Sequence, residues 1–157
     1  MKWTGILTGV FLTDTILKSR AEKHLSNKAV REIAGDKILL RKLHNYGIAC
    51  NMGEKHPKLI EQGTLAVWIT MFLTWLRVLK KPLGKVQGIL VRLGGALVLG
   101  GGLSNLNDRI TKGYVTDYFS FNVKCEKLKR IVFNLSDMCI AVGAVLTALG
   151  CIKKTER

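Results

Sequence analysis

A bundle of four membrane-spanning helices with a small, partly β extramembrane subdomain is the fold class this sequence predicts. Three observations lead there. Mean hydropathy is positive, +0.19, although the formal net charge over 157 residues is +14. The apolar residues collect in four runs, and the basic residues collect between and beside them. A polar stretch of 45 residues, 19–63, separates the first run from the second and is too long for a tight connection. Segregation of this kind is the pattern of an integral membrane protein. The length sets a single domain, 1–157. Nucleic-acid binding, the other reading of so basic a chain, is disfavoured by the long apolar runs and by the lack of a basic stripe interleaved with aromatics. Basic loops beside apolar spans meet anionic headgroups more simply, so membrane lipids are expected partners and nucleic acid is not.

The first run, 3–18, carries Asp14 and Lys18. Lys2 before an apolar stretch imitates a cleaved leader, but no small-x-small site follows, and the two charges interrupt where one would lie. The run is short for a span of about 20 residues, and Lys18 can extend it by snorkelling. Asp14 and Lys18 are four apart, share a helix face and can pair. The 19–63 stretch holds nine Lys/Arg and five Asp/Glu. Within it, Lys37 to Leu43 has strand character, and Asn45-Tyr46-Gly47 is turn chemistry.

The second run, 64–80, carries Trp68 and Trp75. Pro82-Leu83-Gly84 turns into the third, 86–104, where Gly94, Gly95, Ala96, Gly100 and Gly101 allow a neighbouring helix to approach closely. Arg92 lies about 10 Å along the axis from Lys85 and can snorkel back toward it or face the bundle. The fourth run, 131–152, bears Asn134, Ser136 and Asp137 in its first two turns. Four spans put both termini on one side. The lysine-dense Lys80–Lys85 connection and the basic tail favour the cytoplasm for them, although the outward segments are basic as well.

Several chemistries find no support. The cysteines (Cys50, Cys125, Cys139, Cys151) form no CxxC pair, the three histidines are scattered, and nothing has zinc-ligand spacing. Gly100 to Gly102 belongs to no GxGxxG or GK[ST] motif, and no Gly-x-Ser-x-Gly elbow exists. Neither metal nor cofactor is expected. What remains is carboxylates at the edges of apolar spans, where they are costly to keep: Asp108, Asp117 and Asp137. Two aspartates brought together share a proton, and such a pair can activate water for attack on an amide. Asn134 lies three residues before Asp137, and Asn105 four before Arg109, each pair on one helix face. Three readings stand at this level: a peptidase dyad, a proton or ion relay in a transporter or assembly factor, and plain caps and salt bridges. No internal repeat of the kind many transporters carry is visible.

The sequence resembles bacterial signal peptidase II, the prolipoprotein signal peptidase. The resemblance rests on Asp14-x-x-x-Lys18, on Asn45-Tyr46-Gly47-Ile48-Ala49, on Gly101 to Arg109 followed by Gly113-Tyr114-Val115-Thr116-Asp117-Tyr118, and on Phe133 to Asp137 with Gly143 beyond. It implies an aspartyl endopeptidase of the bacterial cytoplasmic membrane that cleaves prolipoproteins before a diacylglyceryl-modified cysteine, with no oligomer expected. Asp117 and Asp137 match the catalytic aspartates. Asp14, Lys18, Asn45, Gly47, Asn105, Arg109 and Asn134 match substrate-site positions, and Asp108 a supporting aspartate expected to hold Arg109 and the helix end. The chain departs from the family pattern at Thr15, Cys50, Ser104, Asn107 and Ser136.

Overall fold

A computed structural model describes residues 2–26, 30–48 and 52–152. The protein is mostly helical, with one small antiparallel sheet. The elements in order are α1 (Lys2–His24), β1 (Arg31–Ile33), β2 (Ile38–Asn45), α2 (Pro57–Lys80), α3 (Lys85–Lys112), β3 (Val115–Phe121), a short α4 (Glu126–Lys129) and α5 (Leu135–Cys151). Two of these, α2 and α3, are long and apolar enough to cross a membrane, and α5 is a shorter apolar helix.

Beside an apolar core of Trp75, Ala96 and Leu99, the bundle buries polar side chains and leaves apolar ones outside on two of its helices. On α1 the buried residues are Asp14, Lys18 and Ala21, spaced i, i+4, i+7 on one stripe, while Leu12 and Ile16 face outward. On α5 Ser136 is buried, whereas Val142, Val145 and Leu149 are each more than half exposed. Leaving such side chains outside is favourable only where the surroundings are apolar.

Small residues set the helix packing. A Cβ on Gly101 of α3 would lie 2.6 Å from the Ser136 carbonyl oxygen of α5, and one on Gly143 would lie 2.6 Å from the Gly94 carbonyl oxygen. A Cβ on Gly100 would meet the Leu7 carbonyl oxygen of α1 at 2.7 Å. α3 is thus the central helix, closely apposed to α1 and α5. Trp68 and Trp75 dock α2 on α3. They are seven apart, and face Gly102 and Gly95, also seven apart. Their indole N–H groups donate to the Leu99 carbonyl at 2.9 Å and the Arg92 carbonyl at 3.1 Å. Arg92 does snorkel, donating from Nη2 to the Lys81 carbonyl at 2.9 Å.

The sheet has the order β1-β2-β3, all neighbours antiparallel. Only β1 and β2 come from the 19–63 stretch. The 19–63 stretch, where the sequence shows strand character, therefore does not build the sheet alone. β3, from the segment after α3, completes it, with Leu43 opposite Asp117, His44 opposite Thr116 and Asn45 opposite Val115. Gly113, at φ 80° where glycine costs little, ends α3 and turns the chain into β3. The helices also overrun their expected limits: α1 continues to His24, α2 starts at Pro57, and α3 runs to Lys112, so Asn105, Asp108 and Arg109 are helical. Cys50 and Ala49 lie outside the described residues.

Gly101→Val should destabilise the protein by about 1–3 kcal/mol, because the new side chain must displace α5 backbone. Gly9→Val, where a Cβ meets nothing within 4 Å, should leave the melting temperature in detergent almost unchanged. Thermal unfolding of the two variants checks the close α3–α5 approach.

Candidate active site

Two backbone features bring Asp117 and Asp137 to one place. Phe133 bridges to β3: its N–H donates to the Phe119 carbonyl at 2.6 Å, and its carbonyl accepts from Tyr118 N–H at 3.0 Å. The start of α5 is therefore stitched to the strand that carries Asp117. Asn134 then caps α5 instead of lying within it, as expected from sequence. Its Oδ1 accepts from Asp137 N–H at 2.9 Å, and its own N–H donates to Asp137 Oδ2 at 3.1 Å, a reciprocal capping box. The side-chain amide of the same residue donates to Asp117 Oδ1 at 2.7 Å. One fully buried asparagine thus links both carboxylates.

Two further amides complete the shell. Asn45, at the end of β2, donates to Asp117 Oδ2 at 3.2 Å, and its Oδ1 accepts from Gly47 N–H at 3.0 Å, forming the expected turn. Asn105 of α3 donates to Asp137 Oδ1 at 3.0 Å. Arg109, one turn on, donates from Nη2 to the Gly47 carbonyl at 2.8 Å and so ties that turn to α3. Asp117 is 2 % exposed. Burial raises its pKa, and the neighbouring Asp137 charge raises it further, against the hydrogen bonds of Asn134 and Asn45; the net result is a value pushed up to about 7. A cleft of about 420 Å³ opens beside it, lined by Leu43, Asn45, Asp117, Lys127, Arg130, Ile131 and Val132. Among the described residues no three His, Cys, Asp or Glu side chains gather into a metal-ligating group.

Asp14, Lys18 and Asp108 lie beneath the pair. Lys18 Nζ sits 2.9 Å from Asp14 Oδ2, 3.3 Å from Asp108 Oδ2 and 2.7 Å from Asn105 Oδ1. Asp14 also accepts from the hydroxyls of Ser104 (2.7 Å), Ser136 (2.6 Å) and Tyr118 (3.0 Å). Asp14 and Lys18 have essentially no exposed surface and are held entirely by these partners. Asp108, expected to hold Arg109 and the helix end, accepts from Thr116 N–H at 3.1 Å and pairs with Lys112 at 2.7 Å, where α3 gives way to β3. Nothing in the sequence pattern marked Tyr118, Ser104 and Ser136 as partners of Asp14. The two serines are departures from the family pattern, and a buried carboxylate in need of donors is the signal that explains them.

Comparison with known proteins now decides the family. A family model described as signal peptidase (SPase) II matches residues 6–153. The chain belongs to the signal peptidase II family. A lipoprotein signal peptidase from Shewanella loihica is 30 % identical over 158 residues, covering 95 % of this chain and 85 % of the relative. One from Brucella ovis is 36 % identical over 114 residues, covering 71 % of this chain and 66 % of the relative. Two solved structures of a bacterial membrane enzyme, obtained by the in meso method at 2.3 and 1.9 Å, share the fold with TM-scores of 0.79 and 0.80. They are 17 % and 18 % identical and cover 99 % and 98 % of this chain and 94 % of each solved chain. Signal peptidase II membership makes this chain a membrane protease acting on prolipoprotein signal peptides. It favours the peptidase reading of the carboxylates over the relay and assembly-factor readings.

The raised Asp117 pKa has a consequence for stability. Between the unfolded value, 3.8, and about 7, the folded protein holds a proton there that the unfolded chain has released. The contribution of this group to stability therefore falls as pH rises through that window, and stays at its lower value above it. Melting temperatures measured from pH 4 to pH 8 should show Asp117→Asn with a flatter pH dependence than wild type. A slope unchanged by the substitution would contradict the shift.

Proposed function

We propose that this signal peptidase II is an aspartyl endopeptidase that cuts prolipoproteins immediately before the diacylglyceryl-modified cysteine, with Asp117 and Asp137 as the catalytic pair. The observation that carries the reading is the single buried Asn134, whose side-chain amide donates to the Asp117 carboxylate and whose backbone N–H donates to the Asp137 carboxylate. Near neutral pH such a pair retains one proton. The ionised member takes a proton from water as that water attacks the scissile carbonyl, and the protonated member donates to the carbonyl oxygen. The resulting intermediate collapses as the amine of the cysteine leaves with a proton returned from the pair. Low polarity around the pair strengthens each of these interactions.

The other residues take graded roles. Asn45, Asn105 and Asn134 fix the four carboxylate oxygens, and Gly47 and Arg109 form the rim that meets the substrate backbone. Asp14, Lys18 and Asp108 position the site from below without touching substrate. All four long helices, α1, α2, α3 and α5, span the membrane in this reading, supported by the outward-facing apolar side chains of α1, α2 and α5. Both termini lie in the cytoplasm and the sheet outside it, in a bacterial cytoplasmic membrane. The lipid anchor of the substrate enters from the bilayer, the chain acts as a monomer, and neither metal nor cofactor takes part.

The test is cleavage of a synthetic diacylglyceryl-modified prolipoprotein by purified protein in detergent. Wild type should cut before the modified cysteine with or without a chelator. Asp117→Asn and Asp137→Asn should each lose at least about 1,000-fold in kcat, in line with loss of an acid or base acting in concert with its partner. Substantial cleavage by either folded variant would remove that residue from the pair. Partial function retained by both Asp→Glu variants, without peptide cleavage by wild type, would instead support a relay.

A further inference from the structure

The outward segments of this chain carry cations that a rule of positive charge inside does not explain. The densest group is 122–130, where Lys124, Lys127, Lys129 and Arg130 accompany a single acid, Glu126. This segment is held in place. Arg41 of β2 donates to the Lys129 carbonyl at 2.6 Å, and the chain then enters the Phe133–Phe119 bridge. Two of the four cations, Lys127 and Arg130, line the cleft that also contains Asp117 and Asn45. Both are exposed, and neither forms an ion pair among the described residues. The remaining wall, Leu43, Ile131 and Val132, is apolar. The cleft therefore offers two unengaged cations beside the catalytic pair.

We propose that Lys127 and Arg130 form a subsite for an acidic side chain of the prolipoprotein, placed a few residues after the cleavage point. This rests on the assignment of the Asp117 cleft as the peptidase site. The part of the substrate before the cut is an apolar signal segment, in which a carboxylate is costly. The part after it lies in water, so the acid sits on that side. A lipid headgroup is the competing occupant, but any of the outward lysines would satisfy one. Among the described residues, Lys127 and Arg130 are the cations that line the cleft with Asp117, where the scissile peptide has to lie. Charges of this kind raise selectivity and encounter rate more than affinity.

The experiment compares two diacylglyceryl lipopeptides that differ only by Asp or Asn at the second residue after the modified cysteine, in neutral detergent at low salt. Wild type should cut the Asp peptide with a kcat/KM about fivefold higher, carried by KM, as two exposed ion pairs allow. The advantage should vanish at about 0.5 M salt. Lys127→Gln/Arg130→Gln should cut both peptides as wild type cuts the Asn peptide. Lys127→Glu/Arg130→Glu should prefer a peptide with Lys at that position. Equal cleavage of the Asp and Asn peptides by wild type, or a preference that survives the double substitution, would overturn the subsite. So would an equal gain on both peptides, in wild type only, when anionic lipid is added to the micelle; the cations would then serve the membrane surface. Failure of wild type to cut even the Asn peptide would instead strike at the peptidase assignment.

Discussion

The structure depends on a lysine buried among two carboxylates. Lys18 joins Asp14 on its own helix to Asp108 on α3, and through Asn105 it reaches Asp137. Asp14 extends the same network to Tyr118 of β3 and Ser136 of α5. Four elements thus meet on one set of charges. Ions taken out of water are expensive to hold, and removing one partner of such a set costs about 3–5 kcal/mol because the other is left uncompensated. Lys112 pairs with Asp108 from its other side, so two ammonium groups meet two carboxylates, and the hydroxyls of Ser104, Ser136 and Tyr118 supply the further donors that buried Asp14 needs.

The proposed catalytic pair, Asp117 and Asp137, is a second tier built on that base. Asp117 belongs to a strand and Asp137 to the first turn of a helix, and neither element alone specifies their meeting. Asn134 does so, since one side chain caps the helix and binds the strand carboxylate. Every described carboxylate oxygen of the pair accepts from an amide. Such bonds favour ionisation, while burial and the mutual proximity of the two groups oppose it. For Asp117 the opposing effects win, and the group titrates near neutral pH. Acid and base forms can then coexist in the pair at the pH where a cell envelope enzyme works.

Much of this was legible in the chain. The four apolar runs, the glycine-rich face of α3, the Asp14–Lys18 pair and the strand character of 37–43 follow from local pattern alone. The strand at 115–121 was less visible as part of the sheet, although Val, Thr, Tyr and Phe mark it, because its partner lies about 70 residues earlier and pairing at that range leaves no local trace. The extension of α3 through Asn105 to Lys112 was only partly visible: the four-residue spacing of Asn105 and Arg109 pointed to a shared helix face, but polar residues past the apolar run look like a loop unless a buried lysine waits to receive them. Ser104 and Ser136 registered only as departures from a family pattern, and acquire meaning once both hydroxyls are seen on Asp14. The cations of 122–130 read as an imperfect orientation signal until two of them appear in the cleft of Asp117.

Proton sharing between Asp117 and Asp137 is read by an infrared titration of the carboxyl groups in detergent. With wild type and Asp117→Asn compared, the account predicts a protonated carboxyl band that persists to about pH 7 in wild type and is lost with the substitution. Complete ionisation of Asp117 by pH 5, with peptide cleavage intact, would contradict it.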